Sequence, residues 1–120
     1  MPAMILVVED EWLIAEDHAA ILREAGHAVL GPCASLDSAM AMIGAHAMDA
    51  ALLDMELSGE KSFAVAHRLQ EQGIPFAFVS GHAAEELPPS LRGHLVLAKP
   101  TDQARLLEAV EDMVGGRAAG

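Results

Sequence analysis

Glu9 and Asp10 follow the apolar run Met4-Ile5-Leu6-Val7-Val8, and Asp54 follows Asp49-Ala50-Ala51-Leu52-Leu53. Both runs read as buried strands, so three carboxylates arrive at strand C-terminal ends, the edge where open parallel sheets bind ligands. Two carboxylates about 4 Å apart repel by roughly 4 kcal/mol at an effective dielectric of about 20, so grouping three of them calls for a cation. Hard oxygen ligands of this kind suit Mg²⁺. Two further strand-like runs end at Ser80 and Lys99. A carboxylate that attacks a phosphoryl group needs a divalent ion to neutralise the transferring oxygens and donors for the remaining ones. In that chemistry Glu9 and Asp10 hold Mg²⁺, Asp54 attacks, Ser80 donates a hydrogen bond, and Lys99 supplies positive charge as a mobile ammonium.

Each of these residues has a plainer reading. Acids at strand ends are normally solvated, a single lysine is a surface group, and a single serine before a helix is a cap. Their coincidence on one sheet edge carries the inference, although a cluster of interacting charges also occurs without function. A metal-dependent phosphatase with an aspartyl nucleophile would place a second aspartate two residues after the first, and Glu56 stands there. None of the six histidines has metal-ligand spacing with a partner, so His18, His27, His46, His67 and His94 read as core-edge or surface groups. His82, two residues beyond Ser80, and Glu56 flank the route of water to an acyl phosphate. They are either tuning groups for its lifetime or inert surface residues. Trp12 is either a packed helix residue or an exposed partner contact. Cys33 and most of the seven methionines read as packing elements.

The elements that must position these groups alternate between strand and helix five times, the pattern of βα units stacked around a parallel sheet. After Asp10, residues Ile14, Ile21, Leu22 and Ala25 recur at helical spacing with His18 on the same stripe, and Gly26 is placed to end that helix. A strand over 28–33 contains Gly31-Pro32, which suits a sheet edge where a missing amide is tolerated. Leu36, Met40, Ile43 and Ala47 mark a second helix. Residues 55–60 read as a polar loop before a helix carrying Phe63, Ala66 and Leu69, ended by Gly73. In the strand over 74–79, Phe76 and Phe78 share one side. Pro88-Pro89 and Gly93 predict a short or irregular fourth helix within 83–92. A fifth strand over 95–98 leads to Lys99-Pro100. Thr101 is then expected to cap a last helix with Leu106, Val110, Met113 and Val114 inward. The tail, 115–120, is expected to fray.

The chain has 120 residues and is 52% apolar, a single-domain size that buries about two thirds of its unfolded surface. The expected organisation is one domain over 1–120 with its core in 4–114. A net charge of −11 repels nucleic acid phosphates and anionic membrane surfaces. No segment has the length of about twenty apolar residues that a membrane span requires. One cysteine without a partner and an N-terminus lacking a secretory pattern fit a reducing, cytoplasmic setting.

These residues together resemble the receiver domains of two-component response regulators, across essentially all of 4–114. Val7-Val8-Glu9-Asp10-Glu11 is similar to the family's acidic motif and Leu52-Leu53-Asp54-Met55 to its phosphoacceptor motif. Ser80-Gly81 matches its hydroxyl position, and Lys99-Pro100 its lysine, typically before a cis proline. The resemblance implies a flavodoxin-like (βα)5 doubly wound parallel sheet with strand order 2-1-3-4-5. It implies Asp54 as acceptor of a phosphoryl group from a histidine kinase or histidine phosphotransferase, the backbone carbonyl of Glu56 completing the Mg²⁺ shell, and a downstream protein target. Such a protein catalyses only its own phosphorylation and dephosphorylation. Pro75-Phe76-Ala77-Phe78-Val79-Ser80-Gly81-His82 and Gly59-Glu60-Lys61-Ser62-Phe63 are similar to the FAT GUY single-domain subfamily, which implies a stand-alone regulator working with HWE-type or related kinases. Val96 stands where most receivers carry an aromatic reporter. That departure motivates the alternative of an adaptor that binds its partner regardless of phosphorylation.

Overall fold

The computed structural model describes residues 3–81 and 87–119, with side chains as far as residue 116. In chain order the elements are β1 (Met4–Val8), α1 (Trp12–Glu24), β2 (Ala28–Cys33), α2 (Leu36–Ala45), β3 (Ala50–Asp54), β4 (Glu56–Leu57), β5 (Glu60–Lys61), α3 (Phe63–Glu71), β6 (Phe76–Ser80), a 3₁₀ turn (Pro89–Leu91), β7 (Val96–Ala98) and α4 (Gln103–Ala119). Five strands form one parallel sheet in the order β2-β1-β3-β6-β7, while β4 and β5 make a separate antiparallel pair. With the small hairpin set aside, this is the expected flavodoxin-like order 2-1-3-4-5.

Side-chain alternation along the strands feeds two cores, which is why the central strands are apolar on both faces. Leu6, Val8, Ala51, Leu53, Phe76 and Phe78 pack with α2 and α3 on one face. Ile5, Val7, Ala50, Leu52, Ala77, Val79 and Leu97 pack with α1 and α4 on the other. Phe76 and Phe78 share their side as expected and meet edge to face at 5.4 Å between centroids, with Phe63 set against Phe78 at 6.3 Å.

Glycine closes two helices by the same device. Gly26, at φ +95°, donates to the Arg23 carbonyl while His27 donates to that of Leu22, and Gly73, at φ +68°, does the same with Gln70 while Ile74 reaches Leu69. Both are Schellman closures, which need a left-handed residue after the last helical one. At the sheet edge, pairing slips from Leu6↔Leu30 to Val8↔Cys33, so β2 carries one extra residue at Gly31-Pro32. A side chain at Gly31 would lie 2.7 Å from the Cys33 nitrogen and 2.9 Å from the Val7 carbonyl, so only glycine passes there. The bulge brings the Cys33 carbonyl to the Glu9 amide at 2.9 Å, fixing the backbone of the first acidic residue.

Several sequence expectations are corrected. Ala25 is exposed at the end of α1, and in α2 Ala39 and Ile43 face the core while Met40 is exposed and Ala47 lies beyond the helix. Positions three and four apart both fall on one helical face, so an apolar stripe can be misplaced by one residue. The stretch after Asp54 is a hairpin. Leu57 pairs with Glu60, leaving Ser58 and Gly59 at φ +49° and +85° as a two-residue turn of the I′ kind. Thr101 donates its hydroxyl to the Ala98 carbonyl, and Asp102 caps α4 by accepting from the Arg105 amide at 3.1 Å. Helix α4 continues through the expected frayed tail to Ala119. The irregular fourth helix is, among the described residues, the single 3₁₀ turn over Pro89–Leu91, and residues 82–86 lie outside them.

Candidate functional site

The expected groups meet at the carboxyl edge of the sheet. β1 delivers Glu9 and Asp10, β3 ends in Asp54, β6 ends in Ser80, and β7 leads directly to Lys99, whose bond to Pro100 is cis. Glu9, Asp54 and Ser80 are buried, and one carboxylate oxygen from each of Glu9, Asp10 and Asp54 lies within 4.8 Å of the others. Lys99 Nζ stands 3.0 Å from Glu9 Oε1, 3.2 Å from Asp54 Oδ2 and 3.7 Å from Glu11 Oε1. Asp10, Glu11, Asp54, Glu56, Ser58, Gly59, Ser80, Gly81 and Lys99 line a cavity of about 270 Å³ over this cluster.

Local backbone contacts aim the acids. The Glu11 amide donates to Glu9 Oε2 at 3.1 Å and the Glu56 amide to Asp54 Oδ1 at 3.2 Å, each turning a carboxylate back over its own strand end. The Ser58 amide donates to Asp10 Oδ2 at 2.9 Å, which seats the hairpin against the acidic cluster. Glu9 Oε1 is the exception: buried and close to Lys99, it has no aligned hydrogen bond. The Lys99 ammonium pairs with this oxygen, but one lysine does not balance the carboxylates of Glu9, Asp10 and Asp54, so the cluster retains excess negative charge that a further cation would offset. The donor set is all oxygen, hard and anionic, and fits a divalent ion such as Mg²⁺ held by Glu9, Asp10 and Asp54.

The electrostatics follow from this crowding. Burial, reinforced by the neighbouring Glu9, pushes the Asp54 carboxyl from its ordinary 3.8 up to about 7 despite the opposing Glu56 amide and Lys99. Asp10 goes the other way: burial opposes its ionisation, but the Ser58 amide and other hydrogen bonds outweigh it and hold the pKa below the usual value. Burial also opposes the Lys99 ammonium, yet Glu9 and Asp54 together raise its pKa.

Other expectations resolve individually. Trp12 opens α1 with 71% of its surface exposed, beside Leu13 at 75%, so it is not a packed helix residue. The Glu56 carboxylate pairs with Lys61 across the hairpin at 3.0 Å. His82 lies outside the described residues. His18 is buried, and burial lowers its pKa. His27 is buried too, accepting from the Ala3 amide at Nδ1 and so donating from Nε2 to Glu111, 2.8 Å away. Sequence reasoning missed the roles of Ser58 and Ser62. The Ser58-Gly59 pair was the available turn signal, whereas nothing in the linear pattern marks the Ser62 hydroxyl, which donates to the Asp54 carbonyl at 2.6 Å.

The response regulator receiver domain family matches residues 5–111. The chain belongs to that family. Receiver domains are signalling modules of two-component systems that bind Mg²⁺ at an acidic pocket and interact with histidine kinases or phosphotransferases and downstream targets. This receiver domain is 32% identical to SdrG from Sphingomonas melonis Fr1, covering 94% of this chain and 97% of that one with a TM-score of 0.82. It is 27% identical to a response regulator receiver protein from Sinorhizobium medicae WSM419, covering 97% of each chain with a TM-score of 0.86. Curated relatives include the transcriptional regulatory protein PdtaR of Mycobacterium tuberculosis, 25% identical over 115 residues, covering 92% of this chain and 56% of the relative. The sensory transduction protein LytT of Bacillus subtilis is 27% identical over 113 residues, covering 89% and 46%. The chain thus spans about half the length of the curated relatives it matches. No helix among the described residues is long and apolar enough to cross a membrane.

Proposed function

We propose that this chain is a single-domain response regulator, 1–120, that takes a phosphoryl group onto Asp54 and signals by altered protein contacts. The observation that supports this most is the convergence of Lys99 Nζ on Glu9 and Asp54 inside one cavity, with Asp10 within metal-sharing distance. An Asp54 carboxylate oxygen forms the new bond to phosphorus as the donor's phosphorus–nitrogen bond breaks, and the donor imidazole leaves and takes up a proton. Lys99 and the Ser80 hydroxyl hold the phosphoryl oxygens, while Glu9, Asp10, Asp54 and the Glu56 carbonyl hold Mg²⁺. When bound, the ion neutralises charge on the transferring oxygens and lowers the cost of ionising Asp54. The chain's phosphoryl donors are histidine kinases, HWE-type kinases among them, or phosphotransferases in the cytoplasm. Exposed Trp12 and Leu13, next to the cavity lined by Glu11, offer such a donor an apolar contact at the mouth.

Phosphotransfer from candidate histidine kinases with Mg²⁺ tests this reading: wild type becomes labelled and Asp54→Ala does not. Wild type left unlabelled by every donor, with the cavity intact, would remove it. The adaptor reading rests on Val96, which puts no aromatic on β7 to report the state of Asp54. It requires partner affinity to be the same with and without beryllofluoride.

A further inference from the structure

We propose that Ser62 is a positioning residue for the acceptor site, holding the Asp54 main chain in register with Glu9 and Lys99; the inference rests on the phosphotransfer reading of Asp54. Ser62 is fully buried. Its hydroxyl donates to the Asp54 carbonyl at 2.6 Å and its amide to the Met55 carbonyl at 2.9 Å, so one residue grips two consecutive peptides. This grip falls on the side where β1 lets go: the β1 ladder ends at Val8↔Leu53, one residue before Asp54, while β6 still pairs Val79 with Asp54 and accepts from the Met55 amide on the other side. The carbonyl of the acceptor residue therefore relies on a side chain for its hydrogen bond.

The other end of the grip is rigid. The Ser62 carbonyl accepts from the Ala66 amide at 3.1 Å, opening α3, and Val65, Ala66 and Leu69 of that helix are fully buried in the core. Between the two gripped ends runs the hairpin, anchored by buried Leu57 and touching Asp10 through the Ser58 amide. Ser62 thus closes at its base the same loop that carries Glu56, whose carbonyl the metal reading assigns to the ion. An aspartate side chain has only two torsions between backbone and oxygen. Tilting the Asp54 peptide therefore moves the carboxylate relative to Lys99, whereas the core behind it stays packed.

The test compares wild type, Ser62→Ala, Ser62→Thr and Ile43→Val, the last a core change on α2 remote from the site, at a temperature where all are folded. Mg²⁺ affinity is read from the shift of the thermal melt, and phosphoryl uptake from labelling by a small acyl phosphate. Ser62→Ala is expected to weaken Mg²⁺ binding and slow uptake by about tenfold, the scale of misplacing a reacting group by a fraction of an ångström. Ser62→Thr, which keeps the donor, restores both, and Ile43→Val loses stability without changing either. Wild-type affinity and rate in Ser62→Ala overturn the proposal, as does a loss that Ile43→Val shares. If wild type binds Mg²⁺ but takes no phosphoryl group from any donor, the acceptor reading of Asp54 fails instead. Ser62 then stands or falls on the Mg²⁺ affinities alone. If Ser62→Thr does not fold, the contrast between Ser62→Ala and Ile43→Val still decides.

Discussion

The two ends of the parallel sheet handle buried polarity in opposite ways. At the amino end, Asp49 Oδ2 accepts from the Met4 amide at 2.8 Å, and His27 bridges the Ala3 amide and Glu111, joining segments 84 positions apart with every ring nitrogen used. At the carboxyl end, the carboxylates of Glu9, Asp10 and Asp54 crowd together, Lys99 is shared between Glu9 and Asp54, and the Asp54 carboxyl is driven up to about 7. One end is satisfied by the chain's own groups and serves stability. The other is left short of positive charge, which is the condition that the proposed phosphoryl-acceptor reading requires.

This contrast can be broken in several ways, the severest first. Asp54→Asn should abolish phosphoryl uptake altogether while raising the metal-free melting temperature, since it removes one of three crowded charges; a lower melting temperature would mean the cluster is not strained. Mg²⁺ at about a hundred times its dissociation constant should stabilise the wild-type fold by roughly 2.7 kcal/mol through linkage. A melt indifferent to millimolar Mg²⁺ would deny the site its ion. His27→Ala, at the satisfied end, should cost about 1–3 kcal/mol by leaving the buried Ala3 amide without its acceptor. Denaturant titration checks this, and Mg²⁺ affinity should not change.

The smallest effect is in pH. A carboxyl whose folded pKa lies above its unfolded value binds its proton more tightly in the native state, so the stability it contributes is lost as pH rises from about 4 to about 7. Asp10, held below 3.8, acts outside that window: its contribution is present above about 4 and disappears as pH falls through its folded value. Metal-free melts of wild type should therefore decline from about pH 4 to about pH 7 relative to Asp54→Asn. Parallel curves for the two proteins would show that Asp54 is not buried against Glu9.

Much of this was legible in the chain because it is written in local pattern. Continuous apolar runs ending in Glu9-Asp10, Asp54, Ser80 and Lys99 reveal both the strands and the groups they deliver, since a parallel strand buried on both faces must be apolar throughout. Gly26 and Gly73 announce helix ends because a left-handed closure is expensive for other residues. The misplaced face of α2 arose where three- and four-residue spacings compete, whereas Ala25 is exposed because α1 ends one residue before it. The hairpin after Asp54 was hidden because two-residue strands have no period to detect, and its turn serine is not an obvious left-handed residue.

From the amino-acid order alone came the α/β class, the strand order implied by resemblance and the identity of the groups at the acidic edge, because periodicity and side-chain type are properties of the chain itself. Only the folded molecule decided which donors stand behind those groups: the Ser62 hydroxyl under the Asp54 carbonyl, the Ser58 amide on Asp10, and Lys99 between Glu9 and Asp54. Such contacts are settled within tenths of an ångström and join residues far apart in the chain, 48 positions from Asp10 to Ser58 and further from Glu9 to Lys99. No linear pattern encodes such distances, and they arise only when both faces of the sheet have been packed.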